Sequence, residues 1–329
     1  MGFKVIMAAD LALTPQMEEI LAGADAQLVG IDCPTEDLII ENCREADAVL
    51  VGANQPFTRR AILALERCRI LSRLGVGVNN IDLPAATEKG IPVSIVPDFC
   101  VPEVSDHAIA FLLVFARAIV PLSEASREGL WRGGMARLHH PLRRLCGQVL
   151  GLVGMGRIGE SVARKAAAFG MRIVVFDPFL AAEKAQQVGA ELVSFERLLG
   201  ESDYISIHAP LTKETRHLFD LAAFRKMKAT AYVINCARGG LIDEAALLKA
   251  LREGYIAGAG LDVTDPEPPK VDNPLLQLDN ILVTPHASYN SLESDLELRR
   301  SACEAVVQVL RGDLPRWLAN PEVRELTRN

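Results

Sequence analysis

The chain has no surplus of positive charge: 35 Lys and Arg stand against 42 Asp and Glu, a formal net charge of -7. Such a balance cannot neutralise a phosphate backbone, which excludes nucleic acid as a first choice of partner. Paired cysteines of the CxxC type are missing as well. The seven cysteines, at 33, 43, 68, 100, 146, 236 and 303, are odd in number and follow no metal-ligand spacing. No signal-peptide pattern precedes the strand-like FKVIMA near the start. A reduced, cytoplasmic setting without a bound metal is the expectation. Long apolar runs are also absent. The longest, Ala108 to Ala116, has nine residues and ends at Arg117, well short of the roughly 18 needed to span a bilayer. No membrane partner is expected. Solenoid-period repeats and low-complexity stretches are lacking too.

What is present is an ordinary globular composition, 50% hydrophobic and 23% charged over 329 residues. That length exceeds what one hydrophobic core usually serves and predicts two domains. Up to about residue 100, short β-branched runs (Lys4 to Met7, Ala48 to Gly52, Ile70 to Leu74, Pro92 to Val96) alternate with helical patterns such as Pro15 to Leu21 and Thr35 to Ala46. This is the pattern of a parallel α/β unit. Residues 101 to 117 predict a helix whose second half is apolar all round, which a surface element would not tolerate, so it is expected to join two domains or two subunits. A denser α/β series follows from Gln148, with strands near 149 to 153, 172 to 176, 204 to 207, 231 to 235, 257 to 261 and 281 to 283. One long amphipathic helix, Leu292 to Arg311, ends at Gly312.

Residues 148 to 159, QVLGLVGMGRIG, run an apolar strand into Gly154, Gly156 and Gly159 at a helix start. In this context GxGxxG is a dinucleotide fingerprint. Gly154 allows the tight turn, Gly156 removes a side chain where backbone approaches a pyrophosphate, and Gly159 lets helix and strand pack closely. The amides of Arg157 and Ile158 lie at the positive end of the helix dipole. Asp177 ends the next strand, 18 residues after Gly159 (177 minus 159). An acid there accepts hydrogen bonds from the adenosine ribose and repels a 2'-phosphate, favouring NAD over NADP.

Three further segments place polar residues just after apolar strands, where open parallel sheets bind ligands. They are INCARGG (234 to 240), GLDVTDPEPP (260 to 269) and LVTPHAS (282 to 288). Arg238 offers a guanidinium fork to a carboxylate, and His286 with Glu267 offers a histidine steered by an acid. Taken singly, each has a plainer reading: a salt-bridge arginine, a solvated loop acid, a structural histidine.

Taken together, RGG with a following LID, LDV followed by EP, and TPH, in this order after GxGxxG, resemble the D-isomer-specific 2-hydroxyacid dehydrogenases. The resemblance extends upstream through SRLGVGVNNIDLPAATEKGIPV (72 to 93) and VPEVSDHAIAFLL (101 to 113). Within the family, VPDFCVPEVSDHA and the arginine before LGVG are most similar to the branch related to the C-terminal binding protein and to phosphoglycerate dehydrogenase-like members. The resemblance implies that His286 is the general acid and base, that Glu267 orients it and favours imidazolium, and that Arg238 grips the substrate carboxylate and polarises the 2-oxo group. An unperturbed histidine, pKa about 6.5, would be mostly neutral at pH 7, and a neighbouring carboxylate raises it. The same resemblance assigns the substrate carboxylate to the loop LGVGVNNID, through the amides of Val76 and Gly77. It lets Arg73 add charge there, against the plainer reading of a surface arginine. On the cofactor side it places His208, Ala209 and Pro210 near adenine, Thr215 on the nicotinamide side, Cys236 and Ala237 in backbone contact, and Asp262 on the nicotinamide carboxamide.

The chain departs from the family pattern at Ser105, Asp106, His107 and Ala108, where a Glu and a Thr are common, so a hydroxyl contact to the cofactor phosphate is in doubt. Ser288 and Tyr289 stand where co-repressor members carry Trp. His107, His139, His140 and His217 show no partner pattern and read as structural or solvated. The implied architecture is α/β: two Rossmann-like parallel-sheet domains, with the NAD-binding one (102 to 293) inserted into a discontinuous flavodoxin-like substrate domain (1 to 101 plus 294 to 329) and the active site in the cleft. The implied activity is interconversion of a small 2-oxo acid and its D-2-hydroxy acid with NAD, in a homodimer formed through residues 101 to 144, Trp131 included. The competing function is an NAD(H)-sensing dimeric scaffold of the C-terminal-binding-protein type. Formate dehydrogenase is disfavoured, since that branch has glutamine at the position of Glu267.

Overall fold

The computed structural model describes residues 2–138 and 140–326. His139 lies outside the described residues. The chain divides into two compact units, one of residues 1–100 and 291–329 and one of residues 101–290.

The first unit is built on five strands: β1 (Phe3–Ala8), β2 (Ala26–Gly30), β3 (Ala48–Val51), β4 (Leu71–Arg73) and β5 (Val93–Ser94). All pair in parallel, in the flavodoxin-like order β2-β1-β3-β4-β5. Every residue of β3 is buried, as a strand covered on both faces requires. Edge strand β2 (AQLVG) is half exposed and lacks the continuous burial that marks the others. The helix Leu292–Leu310 starts with a reciprocal Ser291/Ser294 capping box. It packs on the helix Pro15–Ala22 and on β4, where the Ser72 hydroxyl donates to Ala302 O at 2.9 Å. Buried Asn320 then holds the tail to β5, accepting from Val93 N at 2.8 Å and donating to Ile91 O at 3.0 Å. These contacts place the C-terminal segment in the first unit.

The second unit carries seven parallel strands: β6 (Val149–Val153), β7 (Arg172–Phe176), β8 (Ala190–Leu192), β9 (Tyr204–Ile207), β10 (Tyr232–Asn235), β11 (Gly258–Leu261) and β12 (Ile281–Val283). Their order, β12-β11-β10-β9-β6-β7-β8, reverses direction between β6 and β9. That switch point is where doubly wound sheets open a ligand crevice.

The helix Val101–Ala116, expected to join two domains or two subunits, buries one face within its own unit. Seven of its residues, Val104, Ser105, Ala108, Ile109, Phe111, Leu112 and Ala116, are buried, and it packs on the helix Arg157–Ala168 and on β10 inside its own unit. Phe115 stacks on Tyr232 at 4.8 Å, and a Cβ at Gly260 would come within 2.8 Å of the Phe111 ring. These neighbours account for the face it buries, while Leu113, Val114 and Phe115 stay half buried. Exposed apolar surface falls on the stretch after it, at Ile119 (52%), Trp131 (84%) and Met135 (55%). Among the described residues no single helix is long and apolar enough to cross a membrane. The helices Val101–Ala116 and Ile119–Arg127 reach that length only as a pair bent by 57°.

Candidate active site

The dinucleotide fingerprint occupies the turn from β6 into the helix Arg157–Ala168. Gly154 has φ +87°, a left-handed conformation that a side chain would strain, and a Cβ there would sit 2.8 Å from Ala209 N. At Gly159 a Cβ would meet Gly154 O at 2.4 Å, so turn and helix are in direct contact. Gly156 differs, because nothing in the protein lies within 4 Å of its would-be Cβ. That open space, in front of a helix start which no side chain caps, suits an anionic group lying against the backbone. Arg157 and Ile158 form the first turn there. Asp177, at the end of β7, accepts from Met155 N and Phe179 N, both at 3.0 Å. Two amides thus fix its carboxylate beside the glycine turn. The residues present fit a dinucleotide.

The segment after β9 abuts this turn. His208 is hydrogen-bonded through Nε2 to Ser206 Oγ at 2.8 Å, and burial pushes its pKa down to about 4, so it is neutral at pH 7. Ala209 and Pro210 follow it. The Thr215 hydroxyl donates to Pro210 O and accepts from Thr212 N, both at 2.7 Å, so it closes its own turn. Cys236 is buried, and burial, reinforced by the Asp262 charge, pushes its thiol far up, leaving it neutral. Ser105 is buried, its hydroxyl 2.9 Å from Ser161 Oγ and 2.6 Å from Lys165 Nζ. It faces inward between two helices.

Arg238, Glu267 and His286 follow β10, β11 and β12, three neighbouring parallel strands, so the sheet register brings them together. Asn235, fully buried, braces the first turn by accepting from Ala237 N at 3.0 Å and donating to Arg238 O at 2.9 Å. Arg238 is half buried, its Nη1 donating to Ala237 O at 2.7 Å. The RGG pattern has a steric reason: a Cβ at Gly239 would overlap Thr264 O, 2.0 Å away. Only glycine lets this loop close on the loop that carries Glu267. Glu267 accepts from Thr264 N at 3.2 Å, and its Oε2 lies 3.0 Å from His286 Nδ1. Burial works against the Glu267 charge. The His286 hydrogen bond and charge, the Thr264 amide and the Arg238 charge outweigh it and hold the carboxyl below its ordinary value. With Nδ1 turned to Glu267, Nε2 is the nitrogen left for chemistry.

His286 has φ +51°, unusual for a residue with a side chain. Its amide donates to Asp262 O at 2.8 Å. Around it the Asp262 carboxylate accepts from Ala287 N, Ser288 N (both 2.9 Å) and Thr284 Oγ1 (2.6 Å). The Asp262 side chain has no exposed surface. The carboxylate is enclosed by the 284–288 turn that it holds. Tyr289 stands edge-on to the His286 ring at 6.3 Å.

In the first unit Arg73 is 9% exposed, which rules out a surface arginine. Its Nε donates to Gly77 O at 2.8 Å and its Nη1 to Leu74 O. The guanidinium lies against Gly75, whose φ of +144° leaves no room for a Cβ. Arg73 therefore sets the shape of the loop, on which Val76 is exposed and Gly77 half exposed. Sequence reading missed Asn235 and Thr284 and gave His107 no partner, although its Nε2 lies 3.0 Å from Thr284 Oγ1. A histidine directly before the apolar run Ala108 to Ala116 was the available signal. Among the described residues no His/Cys/Asp/Glu group could hold a metal ion.

A two-unit α/β chain with a glycine-turn dinucleotide site and Arg, Glu and His on adjacent strand ends has the form of a nicotinamide-dependent dehydrogenase. Residues 109–288 match the family model described as D-isomer specific 2-hydroxyacid dehydrogenase, NAD binding domain, and the chain belongs to that family. It is 40% identical over 294 residues to the glyoxylate reductase of Korarchaeum cryptofilum, covering 88% of this chain and 87% of that protein. It is 40% identical over 287 residues to the D-3-phosphoglycerate dehydrogenase of Methanocaldococcus jannaschii, covering 87% of this chain and 54% of that protein, about half its length. A solved glyoxylate reductase from Paecilomyes thermophila superposes with a TM-score of 0.87 at 30% identity, over 98% of this chain and 99% of that one. A D-lactate dehydrogenase from Aquifex aeolicus, complexed with NAD and lactic acid, superposes with a TM-score of 0.84 at 25% identity, over 96% and 99%.

Proposed function

We propose that this protein reduces a small 2-oxo acid to its D-2-hydroxy acid with NADH, and catalyses the reverse oxidation, through a His286/Glu267 proton relay with Arg238 as the clamp on the carboxylate and carbonyl. The observation that carries this reading is the 3.0 Å contact between His286 Nδ1 and Glu267 Oε2, with the Arg238 charge felt at the same carboxylate. When bound, the nicotinamide supplies or accepts the hydride. Reduction of a ketone builds negative charge on its oxygen, which the Arg238 guanidinium stabilises and His286 quenches by giving up a proton at Nε2. Glu267 holds the ring through Nδ1 and leaves Nε2 to face the substrate. The amides of Val76 and Gly77, on the loop shaped by Arg73, take the substrate carboxylate. Glyoxylate is the first compound to assay, because relatives of matching length are named for it.

The pair makes a pH prediction with a definite sign. Glu267, held low, is ionised above mildly acidic pH and takes up its proton only as the pH falls through that lowered value. Glu267→Gln keeps a hydrogen-bonding side chain and removes the charge at every pH. Reduction by the unmodified protein should therefore fall at acidic pH as Glu267 is protonated, and that acid limb should be missing from the Glu267→Gln variant. The same acid limb in both would contradict the pairing.

The seven free cysteines support a cytoplasmic, reducing setting. The exposed Ile119, Trp131 and Met135 support a homodimer formed through the stretch that follows the helix Val101–Ala116. Sedimentation at micromolar concentration should show a species of twice the 35.7 kDa chain. A monomer alone, with Trp131→Ala unchanged in behaviour, would remove that interface.

A further inference from the structure

His107 sits on the helix Val101–Ala116, its ring 4.8 Å from Phe111 and edge-on to it. Its Nε2 lies 3.0 Å from Thr284 Oγ1, and Thr284 Oγ1 lies 2.6 Å from Asp262 Oδ1. The threonine hydroxyl has a single proton, and an ionised carboxylate can only accept. The proton therefore points to Asp262, and Thr284 must accept from His107. This fixes the direction of the whole chain and requires a proton on His107 Nε2.

The chain ends on the group that shapes the catalytic turn. Asp262 accepts from the amides of Ala287 and Ser288 with its carboxylate and from the His286 amide with its carbonyl. His286 is held in a left-handed conformation, costly for a residue with a Cβ, which persists only where the surroundings over-determine it. Thr284 also accepts the His286 amide through its own carbonyl, at 3.0 Å. The backbone amides of His286, Ala287 and Ser288 thus all donate to Asp262 or Thr284.

We propose that His107 and Thr284 are positioning residues for the proton relay, their donor chain onto Asp262 holding the turn that presents His286 to Glu267. The inference rests on the relay reading above and adds two residues that act through Asp262 and the 284–288 turn. Without the donor chain, His286 samples rotamers away from Glu267 and is correctly placed for only part of the time. The loss falls on kcat, because the glycine turn and Asp177 follow other strands, β6 and β7.

Variants at positions 284 and 107, alone and with His286→Asn, test this in the protein with NADH and the best 2-oxo acid substrate. Thr284→Val keeps the shape and removes the donor, and should lower kcat about 10-fold, the scale of one lost positioning hydrogen bond. NADH affinity, measured by fluorescence titration, should stay within about 2-fold, the size of a few tenths of a kcal/mol. Thr284→Ser should restore kcat. His107→Phe, which keeps the aromatic contact, should slow the enzyme, and His107→Gln, which keeps an N–H donor, should not. In a His286→Asn background Thr284→Val should cost nothing further, since both act through one ring. Nitrogen-15 NMR of the histidine rings gives a readout free of turnover. His107 should carry its proton on Nε2, and the His286 Nδ1–H resonance should broaden or exchange faster in Thr284→Val but not in Thr284→Ser. A His107 with a bare Nε2, or a full 10-fold loss from Thr284→Val in the His286→Asn background, overturns the proposal. If His286→Asn is slow while Thr284→Val and His107→Phe turn over normally, this proposal fails and the relay stands. If His286→Asn is itself fast, both fail.

Discussion

Replacing His286 with asparagine should lower the rate of 2-oxo acid reduction by about 100-fold to 10,000-fold, the range expected when a general acid is removed. NADH affinity should change little. The asymmetry follows from the geometry: His286 is held by Glu267 and by a turn on Asp262, whereas the dinucleotide fingerprint lies at the switch point between β6 and β9. A scaffold that merely sensed NADH would keep its only function in this variant. An unchanged reductive rate would show that the proton comes from another group.

Asp177→Ala should weaken NADH binding by about 10-fold to 100-fold, as two hydrogen bonds to a charged acceptor are lost. It should improve NADPH relative to NADH, because the repulsion of a 2'-phosphate goes with the same carboxylate. The carboxylate also accepts from Met155 N in the glycine turn, so some general loosening is expected. Loosening weakens both cofactors alike, whereas loss of a discriminating charge changes their ratio. The NADPH to NADH affinity ratio is therefore the quantity to measure, and a constant ratio would deny Asp177 its role.

The central strands were legible from sequence because a strand covered on both faces must be apolar throughout: β3 (AVLV) and β6 (VLGLV) could hardly be anything else. Strands β2 (AQLVG) and β8 (AEL) were not. Each lies at a sheet edge with one neighbour and a half-exposed face, so neither needs an apolar run. The all-round apolarity of the helix Val101–Ala116 was equally visible, but not what covers it, since Tyr232 and Gly260 are far along the chain. At the site, Arg238, Glu267 and His286 were findable because each follows a strand end in a readable motif. Asn235 and Thr284 were not, because a buried side chain that braces a loop leaves no periodicity. Arg73 shows the same limit: its position before LGVG was clear, while its burial beneath that loop depends on the φ of Gly75.

The central claim is that this chain performs the chemistry of its family at the Arg238, Glu267 and His286 site. Its most direct test is a panel of 2-oxo acids, glyoxylate, pyruvate, hydroxypyruvate, phosphohydroxypyruvate and longer branched members, each assayed for NADH consumption with chiral analysis of every product that can be chiral. The account predicts that at least one is reduced, with NADH preferred over NADPH and the D-hydroxy acid as the only enantiomer. Tight NADH binding with no 2-oxo acid reduced, or an L-hydroxy acid product, would contradict it.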